Sequence, residues 1–184
     1  QVYQSKEPLA HTFSIVAYDP ETGEMAVGVQ SHWFSVGSIV SWGKAGVGVV
    51  ATQSFVNPAY GPNGLALMDK GIPAEEALAQ LLAEDEGKAV RQVAFLDGNG
   101  NIGVHTGEAC IAEASHFKGE NFSVQANMML NPDVIPAMQE AFQRGEGRPL
   151  AERVVFTMEA AQNAGGDIRG RQSAALVVVG GERT

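Results

Sequence analysis

The stretch from His11 to His32 constrains this chain more than any other. Phe13 to Tyr18 and Met25 to Val29 are apolar and partly β-branched, as strands require. Between them, Asp19-Pro-Glu-Thr-Gly23 carries turn chemistry: proline presets one φ and glycine supplies a positive one. The stretch therefore predicts a β-hairpin. Pairing Asp19 with Glu24 places Thr12 opposite Ser31 and His11 opposite His32. Directly opposed residues have Cβ atoms about 4.5–5.5 Å apart. A slip of one residue would undo the arrangement.

Downstream, the punctuation of the chain predicts alternating strands and helices. Phe34–Trp42 reads as a bend with a short strand, and Lys44–Gln53 as a small-residue strand. A short helix is expected over Gly64–Lys70 and a second over Ala74–Glu84, the latter started by Pro73 with Glu75 and Glu76 in its first turn. Val90–Asp97 and Ile102–Thr106 form a second hairpin around Gly98–Asn101. Ile111 and Phe122–Ala126 are further strand candidates. Two amphipathic helices are expected at Pro132–Phe142 and Leu150–Asn163, and a last apolar strand at Arg171–Val179. Strands apolar on both faces need cover on both sides. A four-layer α/β/β/α sandwich of mostly antiparallel sheets (α+β) meets that need.

With 184 residues and 45% hydrophobic content, the chain can bury a real core in one domain. A net charge of -9 argues against nucleic acid and anionic membranes as partners. No stretch approaches the length of a membrane span. The single cysteine, Cys110, excludes an intrachain disulfide and reads as a buried small hydrophobe. Residues 1–10 are polar and contain a proline; they read as an N-terminal arm before a domain spanning 11–184. A start at Gln1 fits a removed targeting segment, so an exported or periplasmic protein is expected, with a trimmed cytoplasmic chain as the alternative.

The chain has four histidines: His11, His32, His105 and His116. The first two face each other across the hairpin, and His105 ends a strand of the second hairpin. Three imidazoles with an open fourth position make a catalytic metal site, zinc first and copper second, that activates water. In that arrangement Thr12, Ser31, Gln53 or Asn127 orients the substrate. A histidine on a strand is ordinarily a hydrogen-bonded structural residue, and this remains the competing explanation. His116 lies in a polar stretch and reads as exposed. Asn127 and Gln125 are candidate oxyanion donors, or else bond within the sheet. Glu108 is a candidate general base or partner to a ligand histidine, though a solvated role is commoner at such a turn. Asp167, Arg169 and Arg171 read first as a loop ion pair, with contact to an acidic substrate as the alternative. Trp33, Phe34, Trp42 and Tyr60 wall a pocket or pack in the core.

Ala51–Pro62, His105–Cys110, Val124–Met128 and Gly170–Ala174, taken with the first hairpin, resemble a bacterial family of unknown function, DUF1028, over about residues 12–179. That family is grouped with the N-terminal nucleophile (Ntn) hydrolases. The resemblance implies the same four-layer sandwich, and cleavage of C–N bonds such as amides. Such enzymes begin with Thr, Ser or Cys, whose side chain attacks a carbonyl while its own α-amine acts as base. The resemblance places Thr12 at that position. Eleven residues precede it here, so its nitrogen is an amide, and the mechanism requires cleavage between His11 and Thr12. The sequence thus predicts a hydrolase using water activated by a metal on His11, His32 and His105. Its alternatives are a Thr12 nucleophile freed by processing, a redox metalloenzyme if the metal is copper or iron, and a non-catalytic binding module. No organic cofactor is expected. The expected substrate is a small or peptide-like molecule, and the expected assembly a homodimer.

Overall fold

The first hairpin forms in the predicted register. Strand β2 (Thr12–Tyr18) pairs with β3 (Met25–Ser31), with Thr12 opposite Ser31. The Asp19 amide donates to the Glu24 carbonyl at 2.9 Å, and Gly23 takes the positive φ that closes the turn. This computed structural model describes residues 9–10, 12–111 and 114–183. Expectations for His11 lie outside those residues.

The protein is mixed α+β, and every strand pair among the described residues is antiparallel. One sheet runs β1 (Leu9–Ala10), β5 (Gly48–Phe55), β6 (Arg91–Asp97), β7 (Ile102–Thr106), with β4 (Ser41–Lys44) also pairing β5. The other runs β10 (Ser173–Val179), β3, β2, β9 (Phe122–Ala126), β8 (Ser115–Lys118). The helices are α1 (Gly37–Val40), α2 (Tyr60–Asp69), α3 (Ala74–Glu84), α4 (Val134–Arg144) and α5 (Leu150–Asn163). None of the described helices is long and apolar enough to cross a membrane.

Strand alternation decides what each face meets. Along β2, Phe13, Ile15 and Ala17 pack with Met138, Phe142, Leu150 and Val154 of α4 and α5. Val16, on the opposite face, packs with Val49, Ala51, Ala94 and Leu96 of the other sheet. The sheet of β5 and β6 divides the same way: Val50, Val93 and Phe95 meet Met68, Ala77 and Leu78 of α2 and α3. Close approach is built in with glycine. A Cβ on Gly28 would sit 2.5 Å from Val154 of α5, and one on Gly61 would sit 2.3 Å from the Trp42 ring.

Four local expectations change. A short helix, α1, replaces part of the bend before β4. Helix α2 begins at Tyr60, four residues before the predicted start, because Pro62 in the first turn gives up only an N–H that has no partner there anyway. Ile111 lies outside any strand. Instead β8, Ser115–Lys118, pairs with β9. Its polar composition hid it, and its place at the sheet edge explains that composition, since an edge strand is only partly covered.

Candidate functional site

The alternation that buries Val16, Ala51 and Leu96 between the sheets continues to the ends of their strands, where the residues become polar. Thr12 shares its face with Val16, Ser31 with Val27, Gln53 with Ala51, Gln92 with Ala94, and Thr106 with Ile102 and Val104. Thr12, Ser31 and Gln92 are fully buried and Gln53 nearly so. Asn127, also fully buried, follows β9 and bonds through its backbone N–H to the Thr12 carbonyl at 3.1 Å.

Gln92 is the hub. Its Nε2 donates to the carbonyls of Ala126 (3.0 Å) and Ser115 (3.1 Å) and to Thr106 Oγ1 (2.9 Å). Carbonyls only accept, so this fixes which end of the amide carries the nitrogen. Its Oε1 must then accept, and it receives Gln53 Nε2 at 2.7 Å and Asn127 Nδ2 at 3.0 Å. Those same nitrogens reach the Thr12 carbonyl at 3.2 and 3.3 Å. Three donors thus hold that carbonyl, and all three amide orientations are determined by the network itself. Among the described residues, the network atoms left without partners are Thr12 Oγ1, Gln53 Oε1 and Asn127 Oδ1. The site offers one hydroxyl and two free carbonyl oxygens. The side-chain N–H groups of Asn127 are committed, so the oxyanion-donor role predicted for them is not what this geometry provides. Gln125 bonds within its own sheet, to Ser14 at 2.8 Å and Ser123 at 2.7 Å.

Backbone strain clusters here. Ser54 and Met128, which directly follow Gln53 and Asn127, take positive φ of 69° and 54°. Non-glycine residues in this region cost on the order of 1 kcal/mol or more and persist where surrounding structure imposes them. Ser54 lies near the end of β5 and Met128 just beyond β9, each directly after a side chain of the network.

The histidines divide differently from the prediction. His105 pairs with Val93, whose side chain packs with the helices, so alternation puts His105 on the face of β7 away from Thr106. Its Nε2 lies 2.8 Å from the Lys88 carbonyl. His32 is half-buried; its backbone N–H donates to Asp167 at 3.1 Å, and its Nδ1 is buried without a partner among the described residues. The histidine that reaches the network is His116, with Nδ1 2.8 Å from Thr106 Oγ1. His116 is exposed, as its sequence suggests, and partial desolvation of its ring, then the charge of nearby His105, hold its pKa below the ordinary histidine value. Among the described residues no group of three or more His, Cys, Asp or Glu is placed to hold a metal.

Other candidates fall outside the network. Glu108 is exposed on the turn after β7. Asp167, with its side chain fully buried, forms the expected ion pair with Arg169 at 2.8 Å and so braces the backbone after β3. Burial raises the Cys110 thiol above its ordinary pKa, and its Sγ donates to the Arg91 carbonyl at 3.3 Å. Trp42 and Tyr60 pack in the helix-side core, and Phe34 is 81% exposed. The sequence reading missed Gln92 and Thr106. Both are polar residues at positions where strand alternation demands an interior side chain, and that was the available signal.

The profile of a family of unknown function, DUF1028, matches residues 12–184. The crystal structure of protein SPO2555 from Silicibacter pomeroyi, described with the same family, is similar to this chain at 30% identity and a TM-score of 0.85. The match covers 92% of this chain and 73% of that one. No match was found among curated proteins. On the breadth of the profile match and this structural likeness, the chain belongs to the DUF1028 family.

Proposed function

We propose that this protein is an amide hydrolase whose nucleophile is Thr12, freed as an N-terminus by removal of residues 1–11, on a four-layer Ntn-type sandwich. The observation that carries the reading is the fully buried Thr12 hydroxyl, without a partner among the described residues, beside the equally unpaired oxygens of Gln53 and Asn127. An unpaired buried polar atom costs about 1–3 kcal/mol, so a site that keeps several needs a reason beyond folding. The family match supports the reading too, since it begins at Thr12.

The chemistry follows from the residues. The network side chains Thr12, Gln53, Gln92, Thr106 and Asn127 are neutral, and among the described residues the one titratable group they touch is His116. A freed Thr12 α-amine, with pKa near 8, is then the base closest to the Thr12 hydroxyl. It takes the Oγ1 proton as the oxygen attacks the amide carbonyl, and returns it to the leaving nitrogen. Water then hydrolyses the ester on Thr12. The free oxygens of Gln53 and Asn127 accept N–H donors, which suits them to the α-amine or the leaving nitrogen. The three donors on the Thr12 carbonyl hold the residue in place during attack.

Intact-mass spectrometry tests this on a preparation that hydrolyses an amide panel. The active fraction is expected to begin at Thr12, and kcat/KM to rise with pH through the amine pKa. Full activity from unprocessed chains carrying Thr12→Ala would overturn the reading.

A further inference from the structure

The residues just ahead of Thr12 lie on the other sheet. Strand β1 pairs antiparallel with β5, Leu9 opposite Phe55 and Ala10 opposite Ser54, whereas β2 begins the second sheet two residues later. The backbone therefore crosses between sheets at the proposed nucleophile. The same edge of β5 is taken by β4 only as far as Ala51. Beyond it, Ser54 and Phe55 form a two-residue slot. The slot is fixed in place: Gln53, just before it, donates to the Thr12 carbonyl. Phe55, inside it, accepts at its carbonyl from Arg91 at 2.8 Å, and Arg91 is itself buried and paired with Asp85 at 2.9 Å.

We propose that this slot is the acyl-side subsite. The substrate is an extended peptide whose main chain adds to β5 as an antiparallel strand, in the place β1 holds in the intact chain. The inference rests on the Thr12 reading and names its substrate class. Attack of Thr12 Oγ1 on the carbonyl of residue 11 forms the C–O ester bond and breaks the C–N bond, and the nitrogen becomes the α-amine. Water then splits the ester, releasing residues 1–11 as a carboxylate and restoring the hydroxyl. The ester intermediate has residues 9 and 10 still lying along Ser54 and Phe55. An external peptide acylating the same oxygen has the same carbonyl to place and the same strand edge upstream of it. The slot supplies main-chain pairing to the two residues before the acylated one, so small amides without them gain nothing from it. In the intact chain, β1 competes with substrate.

The test uses a peptide with the sequence of residues 7–11, fluorescein-labelled at its N-terminus and carrying an aminocoumarin in amide linkage to its last residue as the scissile bond, titrated into three proteins: the intact chain, the intact chain carrying Leu9→Pro and Ala10→Pro, and the chain beginning at Thr12, the unit the family match spans. The prolines remove the donors β1 can offer to β5. Binding to the second and third proteins is expected to be at least ten-fold tighter than to the first. N-methylation of the peptide at its Leu and Ala nitrogens should abolish that gain. Equal binding to all three proteins, or indifference to N-methylation, overturns the proposal. Thr12→Ala in the chain beginning at Thr12 is expected to keep peptide binding and lose hydrolysis. Binding without turnover by the unsubstituted chain would remove the Thr12 reading alone. Turnover with kcat/KM independent of acyl-side length would remove the slot and leave Thr12 in place.

Discussion

The two ends of the interface between the sheets differ in one respect. At the hairpin-turn end, Val16, Val27, Val49, Ala94 and Leu96 fill the space with apolar side chains. At the other end the same strands, on the same faces, supply Thr12, Ser31, Gln53 and Gln92, joined by Asn127. Topology and strand pairing are continuous from one end to the other. The apolar end needs nothing but shape to be stable. The polar end is joined by directional bonds and leaves Thr12 Oγ1, Gln53 Oε1 and Asn127 Oδ1 unpaired among the described residues. The difference marks where the fold gives up packing to hold chemistry.

Substitutions should separate the two ends, and the largest effect is expected at Thr12. Thr12→Ala should lower kcat/KM for amide substrates by at least about 10³-fold, while Thr12→Ser keeps it within about ten-fold, because the hydroxyl is what attacks. Its thermal midpoint should not fall, since the deleted hydroxyl has no partner to orphan. Progress curves and melting curves on the same samples check both. The reverse pattern is expected at the other end. Leu96→Ala, at a fully buried position, should cost about 3 kcal/mol in urea unfolding and leave kcat of the folded enzyme unchanged. A large loss of kcat there would break the division between the ends.

Gln92→Leu should fall between these. It strands the Ser115 and Ala126 carbonyls and frees the amides of Gln53 and Asn127, at a cost of about 2 kcal/mol, and it lowers kcat by loosening the Thr12 carbonyl. A more stable Leu variant with normal kcat would show that the network neither supports the fold nor positions Thr12. The smallest effect belongs to His116. Its pKa lies below the ordinary value of about 6.5, so its stabilising contribution is complete above that pH and is lost as pH falls through the lower, folded value. The stability difference between the native chain and a His116→Asn variant should therefore shrink on acidification from neutral pH, measured by urea unfolding at each pH. A difference that grows would place the folded pKa above the unfolded one.

Much of this was legible in the chain. The first hairpin could be read to the residue because turn chemistry fixes its register and both strands carry continuous apolar signal. Helices α3 and α5 matched their predicted bounds, and each follows a proline, at Pro73 and Pro149. Of the site, Thr12, Gln53 and Asn127 stand out in the sequence and share one network. Gln92 does not, although it sits in an apolar strand at an interior position, because nothing local says which of a strand's two faces will meet the other sheet. His116 reads as a loop residue because four polar-leaning residues at a sheet edge carry no periodic signal. His105 resembles the hairpin histidines in sequence because it too lies near a strand end, but the face it presents is set by pairing with Val93.

What the sequence by itself determined is most of the strands and helices, the register of the first hairpin, and Thr12, Gln53 and Asn127 as polar candidates. These rest on turn residues, proline placement and alternation, which act over a few neighbouring residues. Only the tertiary structure decided that the ends of β2, β5, β6 and β7 converge, that Gln92 joins them, and that β1 lies along β5 beside Thr12. Those facts depend on which strands become neighbours across long stretches of chain. That choice is made by burial of whole faces and by the pairing of every interior amide, neither of which any single segment encodes.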